Sequence, residues 1–172
     1  MDRNVLTDRL ELRWLTEDDA DLMLAIWNDP DFIRNVGDRG IRTPQAALTA
    51  MRDGVLALYR SHGYGPYRIA ARDGGAPMGI CGLFKREQFE HPDIGYGLLP
   101  AYRGRGIALE AARAVMAQAR DRLGLERVNA IVTPSNGASI RLLEKLGMQQ
   151  QGPVRMPDDD ADILLFSVAS LQ

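Results

Sequence analysis

Two arginines and two glycines alternate in the stretch "LLPAYRGRGIALEAARAVM", at Arg103, Gly104, Arg105 and Gly106. Glycine lets backbone N–H groups approach a ligand closely, and a helix N-terminus adds roughly half a positive charge. A glycine-containing turn between a strand and a helix is therefore suited to phosphate. The stretch favours a site for a ligand that carries a phosphate or pyrophosphate group, and the alternative is an ordinary basic loop before a helix.

Two other phosphate-binding motifs fit these residues poorly. A P-loop needs a lysine followed by serine or threonine, and the chain contains no such dipeptide. A dinucleotide fingerprint begins correctly with Gly104 and Gly106, but Leu109 stands where its third small residue belongs. Glu126 could mimic the acidic residue that binds a ribose, but it precedes a predicted strand instead of ending one. Nicotinamide binding is therefore disfavoured.

The elements around the glycine-rich turn can be read from their periodicity. A strand is predicted at Asp93–Leu99, and a helix with an apolar stripe at Gly106–Leu123. The β-branched stretch Arg127–Val132 predicts the next strand, and Asn136–Leu146 predicts a short helix that ends at Gly147. The turn and the short helix would thus follow two successive strands of one sheet.

The remaining segments complete a single α/β domain over residues 1–172. They are predicted as a strand at Arg9–Leu15, helices at Ala20–Trp27 and from Thr43 to about Arg60, and strands at Tyr67–Ala71, Met78–Phe84, Met148–Gly152 and Asp162–Val168. The dipeptide Asp29-Pro30 is expected to stop the first helix. The predicted order is β-α-α-β-β-β-α-β-α-β-β, a mixed sheet of about seven strands with about four helices on its faces.

Composition excludes several classes of protein. The chain has 172 residues, 45% of them hydrophobic, and a formal net charge of −2. The acidic balance argues against a nucleic-acid-binding protein, and the apolar runs are too short to span a membrane. Cys81 is the single cysteine, so no internal disulfide can form. We expect a cytoplasmic protein that binds neither nucleic acid nor membrane.

Two motifs together resemble one known superfamily. Arg103-x-x-Gly106-x-Ala108 resembles the Q/R-x-x-G-x-G/A acetyl-CoA motif of the GNAT N-acetyltransferases, and "NGASIRLLEKLGM" (Asn136–Met148) resembles their second signature. The opening "TDRLELRWLTEDDADLML" is similar to the start of the branch that contains the Rim-type ribosomal-protein N-terminal acetyltransferases. The resemblance implies the GNAT fold, with a mixed and mostly antiparallel sheet, and acetyl-CoA as the acyl donor.

The resemblance also assigns residues to the cofactor. It implies that backbone N–H groups of the phosphate loop hold the CoA pyrophosphate, and these belong to Arg103, Gly104, Arg105, Gly106, Ile107 and Ala108. Leu98 takes the strand position that pairs with the pantetheine arm. Asn136 matches an asparagine that contacts this arm, and it could equally cap the helix that follows. Arg141 could reach the outer phosphates or simply face solvent. The family requires no metal.

The chemistry implied is direct attack of a neutral amine on the acetyl thioester. Many family members place a tyrosine acid where this chain has Leu143, whereas the ribosomal-protein branch tends to have a serine that matches Ser139. We expect Ser139 to hydrogen-bond the departing sulfur, although it could serve only helix packing. Asp93, at the start of its strand, is the candidate general base, with His91 as the alternative.

The acceptor is predicted only by class. The resemblance implies a primary amine, either a protein N-terminus or a small molecule, and a possible homodimer. Trp27, Asn28 and Phe32 are candidates for the acceptor wall, although Trp27 could equally serve core packing. The alternative function is a catalytically weak protein of the same fold that binds or senses acetyl-CoA.

Overall fold

A computed structural model of the chain describes residues 4–157, 159–169 and 171. Asp158, in the segment between the last two predicted strands, lies outside the described residues. Within these ranges, eight strands form one sheet in the order β1-β2-β3-β4-β5-β6-β8-β7. Their bounds are Val5–Leu6, Leu10–Trp14, Pro66–Ala71, Gly79–Phe84, Asp93–Leu98, Arg127–Val132, Gln149–Met156 and Asp159–Ala169, for β1 to β8 in chain order.

Six α-helices flank this sheet within the described part of the chain. They are α1 (Ala20–Trp27), α2 (Pro30–Asn35), α3 (Pro44–Asp53), α4 (Val55–His62), α5 (Ile107–Asp121) and α6 (Gly137–Lys145). Short 3₁₀ turns occur at Glu17–Asp19 and Pro100–Tyr102. Among the described ranges, no helix is both long enough and apolar enough to cross a membrane.

The fold class is confirmed, but the expected counts of strands and helices were too low. The two-residue strand β1 pairs with β2 at the sheet edge and was not predicted. Asp29-Pro30 does end α1, but it also begins α2, because the Asp29 carboxylate accepts a hydrogen bond from the N–H of Phe32 and Pro30 occupies the first helical turn. The helix predicted from Thr43 to Arg60 is two helices, α3 and α4, that meet at Gly54.

The sheet is open between β5 and β6. Strand β4 pairs with β5 along all of Asp93–Leu98, whereas β5 and β6, the one parallel pair in this sheet, share the single register pair Asp93↔Asn129. Beyond Asp93 the two strands therefore diverge. The divergence leaves the backbone of β5 free to meet a ligand on that side.

Strand β5 presents a different surface to each face of the sheet. Side chains alternate along a strand, and Ile94, Tyr96 and Leu98 belong to the apolar cluster that α5 and α6 complete. Gly97 lies on the opposite face, where a Cβ atom would stand 3.3 Å from Ile26 of α1. The gap beside β5 thus connects the two faces.

Candidate active site

A cleft of about 530 Å³ occupies the divergence of β5 and β6. Nine residues predicted for the site line it, namely Leu98, Arg103, Gly104, Gly106, Ile107, Ala108, Asn136, Ser139 and Arg141. Arg105 and Asp93 are not among the lining residues. The structure therefore gathers most of the predicted residues around one space.

The phosphate loop has the backbone geometry of an anion site. Gly104 and Gly106 have φ angles of +73° and +74°, in the left-handed region that a side chain disfavours. Gly106 is also the N-cap of α5, so the first free N–H groups of that helix follow directly. Successive amides in such a turn form a concave donor surface for anions. This is the backbone geometry that the predicted pyrophosphate site requires, and binding of the cofactor there stays a prediction.

The sequence did not reveal how the phosphate loop is braced. Arg9 donates to the carbonyl of Arg105 at 3.0 Å and to the carboxylate of Glu110 at 2.6 Å, and Thr7 donates to the same carboxylate at 2.6 Å. Partial burial alone would raise the pKa of Glu110, but the hydrogen bonds from Thr7 and Arg9 outweigh it and lower that pKa. The turn between β1 and β2 thus anchors the loop through ionised Glu110.

The side chain of Arg103 has a role that was not predicted. Its guanidinium pairs with Asp29, the N-cap of α2, and donates to Asp31 at 2.8 Å. It also donates to the carbonyl of Leu98 at 3.0 Å. Arg103 therefore connects α2, the end of β5 and the phosphate loop.

Asn136 caps the helix at the far side of the cleft. Its Oδ1 accepts a hydrogen bond from the N–H of Ser139 at 3.2 Å, which is the capping geometry considered above. Its remaining amide group borders the cleft, so a second contact with a ligand is compatible with the cap. Arg141 and Lys145 lie further along α6 and bring two exposed positive charges to the same edge.

Tyr96 is a site residue that the sequence reasoning missed. Its hydroxyl is hydrogen-bonded to Oγ of Ser139, and both residues line the cleft. Burial raises the pKa of Tyr96 to about 12, against the opposing effect of Ser139. Its position two residues before Leu98, on the same face of β5, was the available signal.

Asp93 lies below the cleft, where β5 and β6 still pair. It is 2% exposed, and Nε of Arg86 contacts its carboxylate oxygens at 3.1 and 3.2 Å. Burial raises the pKa of Asp93, and the charge of Arg86 opposes that shift. His91 lies near Glu90 at 3.8 Å and is not among the lining residues. A role of either residue as the base stays a prediction.

The face of the cleft opposite α6 carries an apolar patch beside the carboxylates of Asp29 and Asp31. Ile26 of α1 and Phe32 and Val36 at helix α2 line it, together with Asn35. Asn35 accepts a hydrogen bond from Thr133 at 3.3 Å, which ties α2 to the segment after β6. Trp27 is 3% exposed in the core and is absent from the lining.

Comparison with known proteins identifies the family. The model of the acetyltransferase (GNAT) domain matches residues 9–149. The N-acetyltransferase YoaA of Bacillus subtilis is 31% identical over 150 residues, which cover 87% of this chain and 84% of YoaA. The chain therefore belongs to the GNAT acetyltransferases, and the predicted acetyl-CoA-dependent acyltransferase is confirmed at that level.

Solved structures share the fold over nearly the whole chain. A GNAT-family acetyltransferase from Bordetella pertussis superposes with a TM-score of 0.82 at 27% identity, covering 98% of this chain and 100% of its own. RimL, a ribosomal L7/L12 α-N-protein acetyltransferase solved with coenzyme A, superposes with a TM-score of 0.81 at 18% identity, covering 96% and 97%. The Rim-type proteins are thus relatives in fold.

Proposed function

We propose that the chain transfers an acetyl group from acetyl-CoA to a primary amine by direct attack in a ternary complex. The observation that carries the proposal is the gap between β5 and β6, which joins the phosphate loop to the apolar wall of α1 and α2 across the sheet. Donor and acceptor could enter from opposite faces and meet there. Such a meeting removes the need for an acyl-enzyme intermediate.

The residues of one face fit acetyl-CoA. The loop from Arg103 to Ala108 holds the pyrophosphate through its backbone N–H groups, and Arg141 adds charge beside it. The free edge of β5 near Leu98 hydrogen-bonds the pantetheine arm through its backbone, in the way that a sheet edge binds an added strand. Asn136 contacts the same arm with the amide group that the helix cap leaves available. The thioester supplies an activated acetyl group and a thiolate leaving group.

The other face favours an acceptor whose amine is borne on a neutral or apolar body. Ile26, Phe32 and Val36 offer apolar contact. The two carboxylates in this part of the lining, Asp29 and Asp31, are already paired with Arg103. They are therefore poor partners for a second cation on the acceptor, which disfavours polyamines. A small uncharged N-terminal residue or a neutral organic amine matches this wall better.

Asp93 is the candidate base on the acceptor side of β5, but it does not line the cleft, so it receives the proton through an ordered water. Because side chains alternate along β5, Asp93 shares the face of Gly95 and Gly97, where the Phe84 ring and Ile26 pack close over the two glycines. Burial raises the pKa of Asp93 toward the range where a base is useful. An α-amine, with a pKa of roughly 7.7–8.0, already has a neutral fraction at pH 7 and needs little help.

An acceptor panel tests the proposal. Purified protein is incubated with acetyl-CoA and with one amine at a time, and released CoA is followed with a thiol reagent. Cys81 is 0% exposed, so the protein contributes no reactive thiol of its own. The panel contains Ser- and Ala-initiated peptides, an apolar amine such as phenethylamine, and spermidine.

The outcomes separate the candidate functions. Thiol release with the peptides or the apolar amine, above a rate without amine, supports the proposal. Faster release with spermidine contradicts the neutral acceptor wall. Acetyl-CoA binding without turnover on any amine supports the sensing protein instead.

A further inference from the structure

Tyr96 and Ser139 form a hydroxyl pair at the centre of the cleft. Tyr96 projects from β5 and Ser139 from the first turn of α6, and the two hydroxyl groups are hydrogen-bonded to each other. Leu143, which occupies the position where the family resemblance predicts a tyrosine acid, is 1% exposed in the core. The pair therefore brings a phenol to the site from β5, although α6 supplies none.

The direction of this hydrogen bond follows from the two chemistries. A phenol is far more acidic than an aliphatic hydroxyl, so Tyr96 is the better donor and Ser139 the better acceptor. The other acceptor near the phenol, the carbonyl of Ser139, lies 3.4 Å away, beyond the usual range for an O–H···O bond. Tyr96 therefore donates to Oγ of Ser139.

One hydrogen then remains on the serine. A serine hydroxyl carries a single donor, and within the described ranges Ser139 Oγ has no hydrogen-bond partner other than Tyr96. Because Tyr96 fills an acceptor position of Oγ, the serine proton is left for a group in the cleft. A donated hydrogen bond also polarises the O–H bond of the acceptor and makes it a stronger donor.

We propose that Tyr96 is a positioning residue, which orients the hydroxyl of Ser139 so that its proton points at the sulfur of CoA. This inference rests on the proposed function. In the reaction the C–N bond forms, the C–S bond breaks and its electron pair leaves on sulfur, where the Ser139 hydrogen bond stabilises it. The amine proton passes through water to the proposed base Asp93 and from there to solvent, and solvent water protonates the thiolate. Neither Tyr96 nor Ser139 loses its own proton.

The test measures bound CoA and needs no acceptor. A hydrogen bond to a thiolate lowers the pKa of the thiol, so the thiolate absorbance of bound CoA is titrated against pH, with free CoA alongside. The variants are Tyr96→Phe, Ser139→Ala and the double variant. Tyr59→Phe is the matched control, because Tyr59 donates to the carbonyl of Pro66 and accepts from Leu15 outside the cleft.

We expect the thiol of CoA bound to the wild type to have a lower pKa than the thiol of free CoA. Tyr96→Phe and Ser139→Ala each raise it by about 0.5–1 unit, as the loss of one hydrogen bond implies. The double variant equals Ser139→Ala, since Tyr96 acts through the serine. Tyr59→Phe leaves the value unchanged. All variants keep the same charged residues around the cleft, so their effects on the thiol pKa cancel in the comparison. These residues are Arg103, Arg141, Lys145, Asp29 and Asp31.

Three results would overturn the inference. The first is that Tyr96→Phe binds CoA and the bound thiol keeps the pKa that it has in the wild type. The second is that the pKa shifts of the two single variants add in the double variant. The third applies if Tyr96→Phe fails to fold: the thiol of CoA bound to Ser139→Ala has the same pKa as in the wild type. Absence of CoA binding to the folded wild type is a separate result, which refutes the proposed function itself.

Discussion

Arg103 and Asp29 form an ion pair that joins the phosphate loop to the N-cap of α2. Asp29 is 8% exposed, and its carboxylate also accepts the N–H of Phe32 at 3.1 Å. The same guanidinium reaches the carbonyl of Leu98. One side chain thus fixes α2, which we propose as part of the acceptor wall, relative to β5, the strand that we propose receives the cofactor.

Arg103→Ala should destabilise the protein and weaken acceptor binding together. The substitution leaves the buried carboxylate of Asp29 without its cation, which costs about 1–3 kcal/mol of unfolding free energy, and it frees α2 to move. We expect the KM for the acceptor to rise more than the affinity for acetyl-CoA falls. Urea unfolding and steady-state kinetics measure the two effects.

Arg34→Ala is the matched control for this prediction. Arg34 pairs with Asp31 on the surface, where the two side chains are 67% and 45% exposed. Exposed pairs contribute about 0–1 kcal/mol, so we expect little change in either measurement. Equal effects of the two substitutions would show that Arg103 has no special role.

Gly106→Ala should reduce acetyl-CoA affinity as well as stability. At φ +74° a side chain costs about 1–2 kcal/mol, and the new Cβ would lie 3.4 Å from the guanidinium of Arg9 that braces the loop. We expect calorimetric titration to show weaker acetyl-CoA binding, because relief of the strain rotates the loop amides away from the pyrophosphate.

Gly124→Ala separates strain from binding. Gly124 has φ +63° and open space around its missing side chain, and it does not line the cleft. Its substitution should cost comparable stability and leave acetyl-CoA affinity unchanged. A binding loss in both variants would trace the effect of Gly106→Ala to general destabilisation.

Substitutions at Asn136 can separate its two roles. Asn136→Ala removes the cap of α6, with an expected loss of about 0.5–2 kcal/mol, and also the amide that we assign to the pantetheine arm. Asn136→Ser restores a capping oxygen without the amide. We expect the serine variant to recover the melting temperature but not the acetyl-CoA affinity. If Asn136→Ser recovers both the melting temperature and the acetyl-CoA affinity, Asn136 serves only as the cap of α6.

If Asp93 is the general base, the direction in which the rate changes with pH can be predicted. A base must be deprotonated, so kcat/KM should rise with pH through the pKa of Asp93, which burial places above its ordinary value despite Arg86. Arg86→Gln removes the opposing cation and should move this rising limb to higher pH. Asp93→Asn should abolish the limb. A limb that stays in place in Arg86→Gln would assign the proton acceptor to another group or to water.

Local patterns were sufficient for the parts of the site that lie close together in sequence. The strand, the phosphate loop and helix α5 follow one another, so periodicity and glycine spacing pointed to the turn at Gly106, and the family resemblance added Leu98. Both residues line the cleft. Contacts between distant segments leave no such pattern. Arg9 and Glu110 are 101 residues apart, and Tyr96 and Ser139 are 43 apart.

The acceptor wall shows a second reason why parts of the site were not predicted from the sequence. Asp29-Pro30 is read locally as a helix stop, although an aspartate before proline is equally a good start. The choice depends on Arg103, which neutralises the buried Asp29 from 74 residues away. Helix α2 and most of the wall it provides were therefore beyond prediction from local sequence.

Calorimetric titration of the purified protein with acetyl-CoA, and in parallel with NADH, tests the central claim most directly. If the cleft between β5 and β6 is built for acetyl-CoA, one equivalent should bind with a dissociation constant on the order of micromolar, about −8 kcal/mol, and NADH should give no heat of binding. No binding of acetyl-CoA, or equal binding of NADH, would contradict the assignment of the phosphate loop and of the site built around it.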